Sequence, residues 1–338
     1  MDKKFFPACN SGIGFKSYFN DIFKNLNRLY IIKGGPGTGK SKLMRDIANE
    51  AKNKEYDVEY YYCSSDPESL DGIIIRDIGI GMLDGTAPHT HDPKLPGAYD
   101  EIVNLGDFWS ADKLARERPM IDELTNRKAD LYSQAYHNLS IISLIDREIS
   151  ELIEPAVDMD KLKGAASRLV KSFNTGSGTA LYPRLLISIG MNGVVSFNTF
   201  YELADKHYIL HDRYGIAGLF FNEVLKTSES KCQPAYISYS PFDLYSADAL
   251  YFPEMSMSFT SAGNRSQGDK LIDTQRFIKL DTLRNYRQKI NFAKKCRSSV
   301  LDDTLDIFSR IRELHFELEK FTLRLWYSNA KRSILRNC

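Results

Sequence analysis

Gly34-Gly35-Pro36-Gly37-Thr38-Gly39-Lys40-Ser41 stands between the apolar run Leu29-Tyr30-Ile31-Ile32 and the segment Leu43-Met44-Arg45-Asp46-Ile47, whose apolar residues fall at helical spacing. A strand, a glycine-rich turn and a helix in that order is the setting in which this pattern forms a phosphate-binding P-loop. Glycines let consecutive backbone N–H groups converge on phosphate oxygens, and the helix N-terminus adds partial positive charge. On this reading Gly34, Gly35, Pro36, Gly37, Thr38 and Gly39 cradle the phosphates. Lys40 then reaches the β- and γ-phosphates as the catalytic cation, and the Ser41 hydroxyl is a ligand of Mg²⁺. The competing reading is a chance glycine-rich turn, which has no use for a lysine and a serine at these positions. The segment therefore predicts a nucleoside triphosphate site. With no Asn-Lys-x-Asp guanine motif in the chain, the expected nucleotide is ATP.

Such a site needs an acidic residue at the end of a second apolar strand, positioned to hold the metal. Ile78-Gly79-Ile80-Gly81-Met82-Leu83-Asp84 fits, and Asp84 is the expected second Mg²⁺ residue; the alternative is an ordinary Asp-Gly turn. Gly85 follows, so the glutamate that hydrolytic ATPases carry after this aspartate is absent. Asp66, His89 and Glu101 are the candidate catalytic residues that would replace it, with His91 beside them. His89-Thr90-His91-Asp92 also raises a metal site, but Pro88 and Pro93 favour an irregular loop that packs near the phosphates or contacts substrate. Tyr60-Tyr61-Tyr62 reads as strand core. Arg213 and Arg265 are candidates for an arginine finger reaching across a domain interface.

A chain of 338 residues exceeds one ordinary core, so two domains are the default. Forty-five basic against 44 acidic residues give a formal charge of +1, which supplies no electrostatic reason to expect nucleic acid or an anionic membrane as partner. Met1-Asp2-Lys3-Lys4-Phe5-Phe6-Pro7 lacks the apolar core of a signal peptide, and no run is long enough to span a bilayer. Cys9, Cys63, Cys232, Cys296 and Cys338 are scattered and odd in number, as expected of reduced thiols in a cytoplasmic protein.

The chain also echoes itself. Tyr30-Ile31-Ile32 recurs as Tyr208-Ile209-Leu210 at an offset of 178, which lays residues 211–219 on the P-loop. Gly14-Phe15-Lys16-Ser17-Tyr18 matches Gly193-Val194-Val195-Ser196-Phe197 with one residue of slippage, and Tyr62-Cys63-Ser64 matches Ser238-Tyr239-Ser240. Phe108 and Leu114 keep the spacing of Phe277 and Leu283. Narrow apolar seams run through Val300, Thr304, Ile307, Ile311, Leu314, Leu318, Phe321 and Leu325, and through Leu131, Ala135, Asn138, Ile142, Ile145, Ile149 and Leu152. Such seams mark coiled coils or long helical hairpins. Two unrelated amphipathic helices would explain the seams alone; they would not explain strand, loop and helix recurring in order. In this alignment Gly218 replaces Lys40 and Leu219 replaces Ser41, so the second copy has lost its chemistry.

The expected fold is α/β: tandem duplicated P-loop NTPase domains, each a mostly parallel sheet with helices on both faces and a long helical extension. The domains are 1–171, with its extension at about 110–171, and 182–338, with its extension at about 275–330, joined by a linker at 172–181. Such a chain is expected to be a slow Mg²⁺-dependent ATPase or molecular switch with one working site in the N-terminal half. Its helices would move a protein partner or form a homo-oligomer. The alternative is a small-molecule or nucleotide kinase, with Asp66 as base and residues 88–96 in an acceptor pocket.

Residues 32–41, Cys63-Ser64-Ser65-Asp66, Leu83-Asp84-Gly85-Thr86-Ala87-Pro88-His89, Asp92-Pro93-Lys94-Leu95-Pro96-Gly97-Ala98 and Glu101-Ile102-Val103-Asn104-Leu105-Gly106 carry a resemblance. They resemble an uncharacterised family of duplicated P-loop proteins, labelled ATP-binding protein or ATPase, of clostridia and related Gram-positive bacteria. The resemblance covers roughly the first 110 residues and continues beyond them as pattern only. It implies a P-loop in the second half too, from which the sequence around Gly218 and Leu219 departs. It implies no substrate beyond ATP.

Overall fold

The computed structural model describes residues 2–87, 90–109, 111–261, 266 and 268–322. The first half contains β1 (Lys3–Phe5), β2 (Ala8–Ser11), β3 (Gly14–Ser17), α1 (Phe19–Ile22), β4 (Arg28–Lys33), α2 (Lys40–Asn53), β5 (Val58–Tyr62), β6 (Leu70–Ile75), β7 (Ile80–Asp84), β8 (Asp100–Asn104), α3 (Ala111–Ile153) and α4 (Met159–Val170). The second contains β9 (Leu181–Pro183), β10 (Ile187–Gly190), β11 (Gly193–Ser196), α5 (Thr199–Leu203), β12 (Lys206–His211), α6 (Ala217–Ser228), β13 (Ala235–Ser240), β14 (Asp243–Phe252), β15 (Met257–Thr260), β16 (Lys270–Asp273), α7 (Leu280–Arg284) and α8 (Arg287–Thr322).

Six strands form the first sheet in the order β1-β5-β6-β7-β4-β8. The strand before the glycine-rich loop, β4, is parallel to both its neighbours, and its apolar residues Leu29, Tyr30, Ile31 and Ile32 are buried on both faces. The sheet is mixed rather than mostly parallel. β6 runs antiparallel to β5 and to β7, because the connections at 63–69 and 76–79 are hairpin-sized. A parallel crossover needs about a dozen residues or more.

The second sheet repeats this architecture. Read from its far edge its order is β9-β13-β14-β15-β12-β16, and each pair has the same relative direction as its counterpart in the first sheet. The hairpins β2-β3 and β10-β11 correspond, with Gly14 and Gly193 both at positive φ. Short 3₁₀ turns at Leu105–Phe108 and Thr274–Phe277 follow the last strand of each sheet. Even the β-bulge is shared. Tyr61 and Tyr62 face Gly72 and Leu70, while Ser238 and Tyr239 face Ala249 and Ala247, which leaves Asp71 and Asp248 as the extra residues. Tyr62 therefore corresponds to Tyr239, one residue beyond the position the sequence alignment assigns it.

Two faces of the first sheet are covered differently. Leu43, Met44, Ala48 and Ala51 of α2 pack on one face against Tyr30, Ile32 and Ile73. The other face, with Leu29, Ile31, Tyr61 and Leu83, shares a core with Leu185, Leu186, Phe200 and Tyr251 of the second half. A buried ion cluster crosses the same boundary: Glu59 meets Arg76 at 2.5 Å and Arg184 at 3.5 Å. α4 places Leu162, Ala166 and Val170 in the core of the second sheet beside Phe220 and Phe221 of α6.

The long helices α3 and α8 pair with each other. Leu131, Ala135, Leu139 and Ile142 pack with Ile307, Phe308, Ile311, Leu314 and Leu318 in one cluster. Asp146 meets Arg297 at 2.6 Å and Asn138 donates to Asp303 at 2.7 Å, so the numbering falls on one helix as it rises on the other. The pair is antiparallel: Leu131, Ala135 and Ile142 of the first seam pack on the second, with Leu139 in place of Asn138, while Ile145, Ile149 and Leu152 join the core of the second sheet. Leu325 and Cys338 lie outside the described residues. Among the described residues no helix is long and apolar enough to cross a membrane.

Candidate functional site

β4, β7 and β8 end at one edge of the first sheet, where register sets Ile32 beside Asp84 and Lys33 beside Asn104. Residues 34–39 leave this edge and enter α2 at Lys40. Gly37 and Gly39 have φ of +70° and +80°, a left-handed region that glycine enters without a Cβ penalty. The fully buried Thr38 donates its hydroxyl to the Gly35 carbonyl at 2.9 Å and so closes the turn from inside.

Lys40 folds back over this turn. Its Nζ donates to the carbonyls of Gly34 and Gly35, both at 2.8 Å, and lies 3.5 Å from Asp84 Oδ2. Asp84 Oδ1 accepts the Thr86 N–H at 2.8 Å, and the Thr86 hydroxyl donates to the Gly34 carbonyl at 2.8 Å. Asp84 thus makes the turn expected of an Asp-Gly sequence and faces the lysine as well. Burial raises its pKa above the ordinary carboxylate value; Lys40 opposes that shift, and the nearby Asp71 adds to it. Ser41 Oγ accepts the Leu70 N–H at 2.9 Å, which ties the start of α2 to β6. Lys40, Ser41 and Asp84 therefore converge with the loop. The bulge brings Asp71, 4% exposed, to the same edge.

The other predicted residues are placed differently. Asp66 accepts from Ser69 Oγ at 2.7 Å and the Glu68 N–H at 3.2 Å, and so caps its own turn. Glu101 pairs with Arg28 at 2.6 Å, beside the beginning of β4 and away from the loop. His91 is held through its backbone: Lys33 Nζ donates to the carbonyls of His91 and Gly85, both at 2.8 Å. Burial, then Lys94, keeps the His91 pKa below its usual value. Arg213 is exposed on the loop after β12, and its carbonyl accepts from Lys294 at 3.5 Å. His89 and Arg265 lie outside the described residues. Among the described residues, no group of three or more His, Cys, Asp or Glu is placed to hold a metal ion.

One further residue, from the other half, feels the loop electrostatically. After His315, Lys40 and the Gly37 N–H are among the groups that lower the pKa of Glu319, near the end of α8. It also lies 3.5 Å from His315 Nε2 one turn earlier. The hydrogen bond from His315 outweighs burial and, with Lys40 and the Gly37 N–H, keeps this carboxyl below the usual glutamate range.

The corresponding place in the second half is closed by its own chain. Asp212 Oδ1 accepts the Ile216 N–H at 3.1 Å and Oδ2 accepts the Ala217 N–H at 2.8 Å, while Thr274 Oγ1 lies 3.0 Å from Oδ1. This carboxylate sits on the N–H groups that open α6. The loop at 212–216 is one residue shorter than that at 34–39, so Ala217, not Gly218, stands where Lys40 does. The pairings of Ile31 with Leu83 and of Ile209 with Thr260 place Ser261 opposite Asp84. Lysine and aspartate are both missing. Asp248 remains, and burial pushes its carboxyl up to about 6.

Asp71, Glu319 and the capping role of Asp212 are absent from the sequence reading. A lone acid inside Leu70-Asp71-Gly72-Ile73-Ile74-Ile75 is a signal for the first. Nothing in the seam of α8 singles out Glu319. Among known proteins, a family model described as Nephrocystin 3, N-terminal, matches residues 15–74, which run from β3 through the glycine-rich loop and α2 into β6. No curated protein and no solved structure matches the chain significantly.

Proposed function

We propose that the chain is a Mg²⁺-dependent ATP-binding protein with one working P-loop, in its N-terminal half, and that it turns ATP over slowly as a molecular switch. The observation that carries this reading is the convergence of Lys40, Ser41 and Asp84 on the glycine-rich turn at the end of β4. Loop N–H groups and Lys40 bind and stabilise negative charge on the transferring phosphoryl group. Asp84 and Ser41 would hold Mg²⁺, which supplies charge neutralisation at the phosphates when bound. The donors fit that ion: a serine hydroxyl and one carboxylate are the usual protein share of a magnesium–nucleotide site. Asp71, beside Asp84, takes the water-orienting part of the glutamate that Gly85 replaces. The repeated topology supports a duplicated domain, whose second copy, sealed by Asp212, serves as a non-catalytic partner.

Gly85 after Asp84 also favours a second reading, a small-molecule or nucleotide kinase, although Asp66 is engaged in its own turn. Phosphate release from Mg-ATP by the purified protein, with and without a panel of acceptors and beside Lys40→Ala, separates the two. Acceptor-independent turnover lost in the variant supports the switch. Turnover that needs an acceptor supports the kinase, and no turnover with tight ATP binding leaves a binding scaffold.

A further inference from the structure

Trp109 lies beside the glycine-rich loop and remains open to water. It follows β8 and the 3₁₀ turn at Leu105–Phe108, and it is 40% exposed. A Cβ added at Gly35 would stand 3.2 Å from Trp109 Cζ2 and 3.8 Å from Cη2, so the indole lies against bare loop backbone. Its setting is firm. Leu105 is buried in the core under α2, and the Asn104 side chain accepts the Gly106 N–H at 3.0 Å. The Trp109 N–H in turn donates to the Gly106 carbonyl at 3.0 Å. The ring is presented by an anchored turn, not by a free loop tip.

Its place relative to the metal side follows from strand order. β4 lies between β7 and β8, so Asp84 and Trp109 flank the loop from opposite sides. Neighbouring strands are about 4.8 Å apart, which separates the two flanks by roughly 10 Å. A nucleotide with its metal-bound phosphates beside Lys40, Ser41 and Asp84 extends its sugar and base away from β7. On the β8 side it meets the indole.

The second half supplies the contrast. Its matching turn, Thr274–Phe277, leads into Ile278, which is 8% exposed, bridges to Val157 and packs in the core of the second sheet. Where lysine and aspartate are missing, the exposed aromatic is missing too. Leaving a large aromatic in water forfeits the burial that Ile278 enjoys, and a flat ligand stacked on the ring recovers it.

We propose, resting on the nucleotide reading above, that Trp109 is the platform on which the nucleobase stacks, so that base and metal-bound phosphates are held on opposite flanks of the loop. Every base has a π-face, so the platform holds the base without choosing among bases. Stacking of this kind contributes about 5- to 150-fold in affinity.

Two measurements on the full chain test it. Equilibrium binding of Mg-ATP and of Mg-tripolyphosphate, which has no base, is compared for the unaltered protein, Trp109→Ala and Trp109→Phe. Trp109 and Trp326 are the two tryptophans of the chain, so Trp326→Phe leaves Trp109 as the one indole reporter for a fluorescence titration. Mg-ATP is expected to bind about tenfold more weakly to Trp109→Ala, with most of the loss restored in Trp109→Phe. Tripolyphosphate affinity is expected to be the same in all three, and Trp109 fluorescence to change with Mg-ATP but not with tripolyphosphate. Unchanged Mg-ATP affinity in Trp109→Ala, or an equal loss for tripolyphosphate, overturns the platform while the nucleotide reading stands. Absence of Mg-ATP binding in every protein overturns the reading, and the platform with it.

Discussion

Replacing Asp212 by alanine tests how the loop before α6 is closed. Its carboxylate accepts two N–H groups at the start of α6, at 3.1 and 2.8 Å, and sits close to the positive end of that helix. Removing such a cap costs about 1 kcal/mol, and removing a negative charge from a helix N-terminus costs about 0.3–1 kcal/mol more. Thr274 adds little, because its hydroxyl also donates to the His211 carbonyl at 3.1 Å. The sum is about 1.3–2 kcal/mol, which corresponds to a roughly 9- to 30-fold loss of hydrogen-exchange protection. The assay is exchange resolved at the Ile216 and Ala217 amides, with Asp212→Asn expected to lose less than Asp212→Ala. Unchanged protection in Asp212→Ala would refute the reasoning. A second outcome is tied to it: with no lysine at Ala217 and Ser261 in place of the aspartate, the opened loop should gain no Mg-ATP site.

Further outcomes follow from burial and charge. Glu59→Ala leaves the Arg184 guanidinium, 4% exposed, without its carboxylate between the halves; urea unfolding should show a loss of about 3–5 kcal/mol. Ile311→Ala, at a fully buried position of the α3–α8 seam, should lose about 2–5 kcal/mol on unfolding and speed exchange in α8. Asp84→Asn should raise the melting temperature without nucleotide at neutral pH. The folded pKa of Asp84 is raised, so its charge opposes folding above that pKa, and the opposition fades as pH falls through it. The advantage of the asparagine variant should therefore shrink on acidification, and a variant less stable than the parent at neutral pH would contradict this.

Much of the first half was legible because its signals are local. Glycines between an apolar strand and an amphipathic segment announce the turn, and Leu83-Asp84 ends an apolar run at the position that register sets beside Ile32. The sheet direction was misjudged because a run such as Leu70–Ile75 is equally apolar in a parallel or an antiparallel strand; only its hairpin-sized connections decide. Asp71 was missed because a bulge is a property of pairing, not of one strand. The copy alignment slipped by one residue at Ala217, where Asp212 starts the helix early. The pairing of α3 with α8 joins two helices far apart in sequence, and no local pattern encodes that packing.

Titration calorimetry of the chain with Mg-ATP tests the central claim most directly. One site per chain is predicted, abolished in Lys40→Ala and retained in Asp212→Ala. Two sites, or one that survives Lys40→Ala, would contradict it.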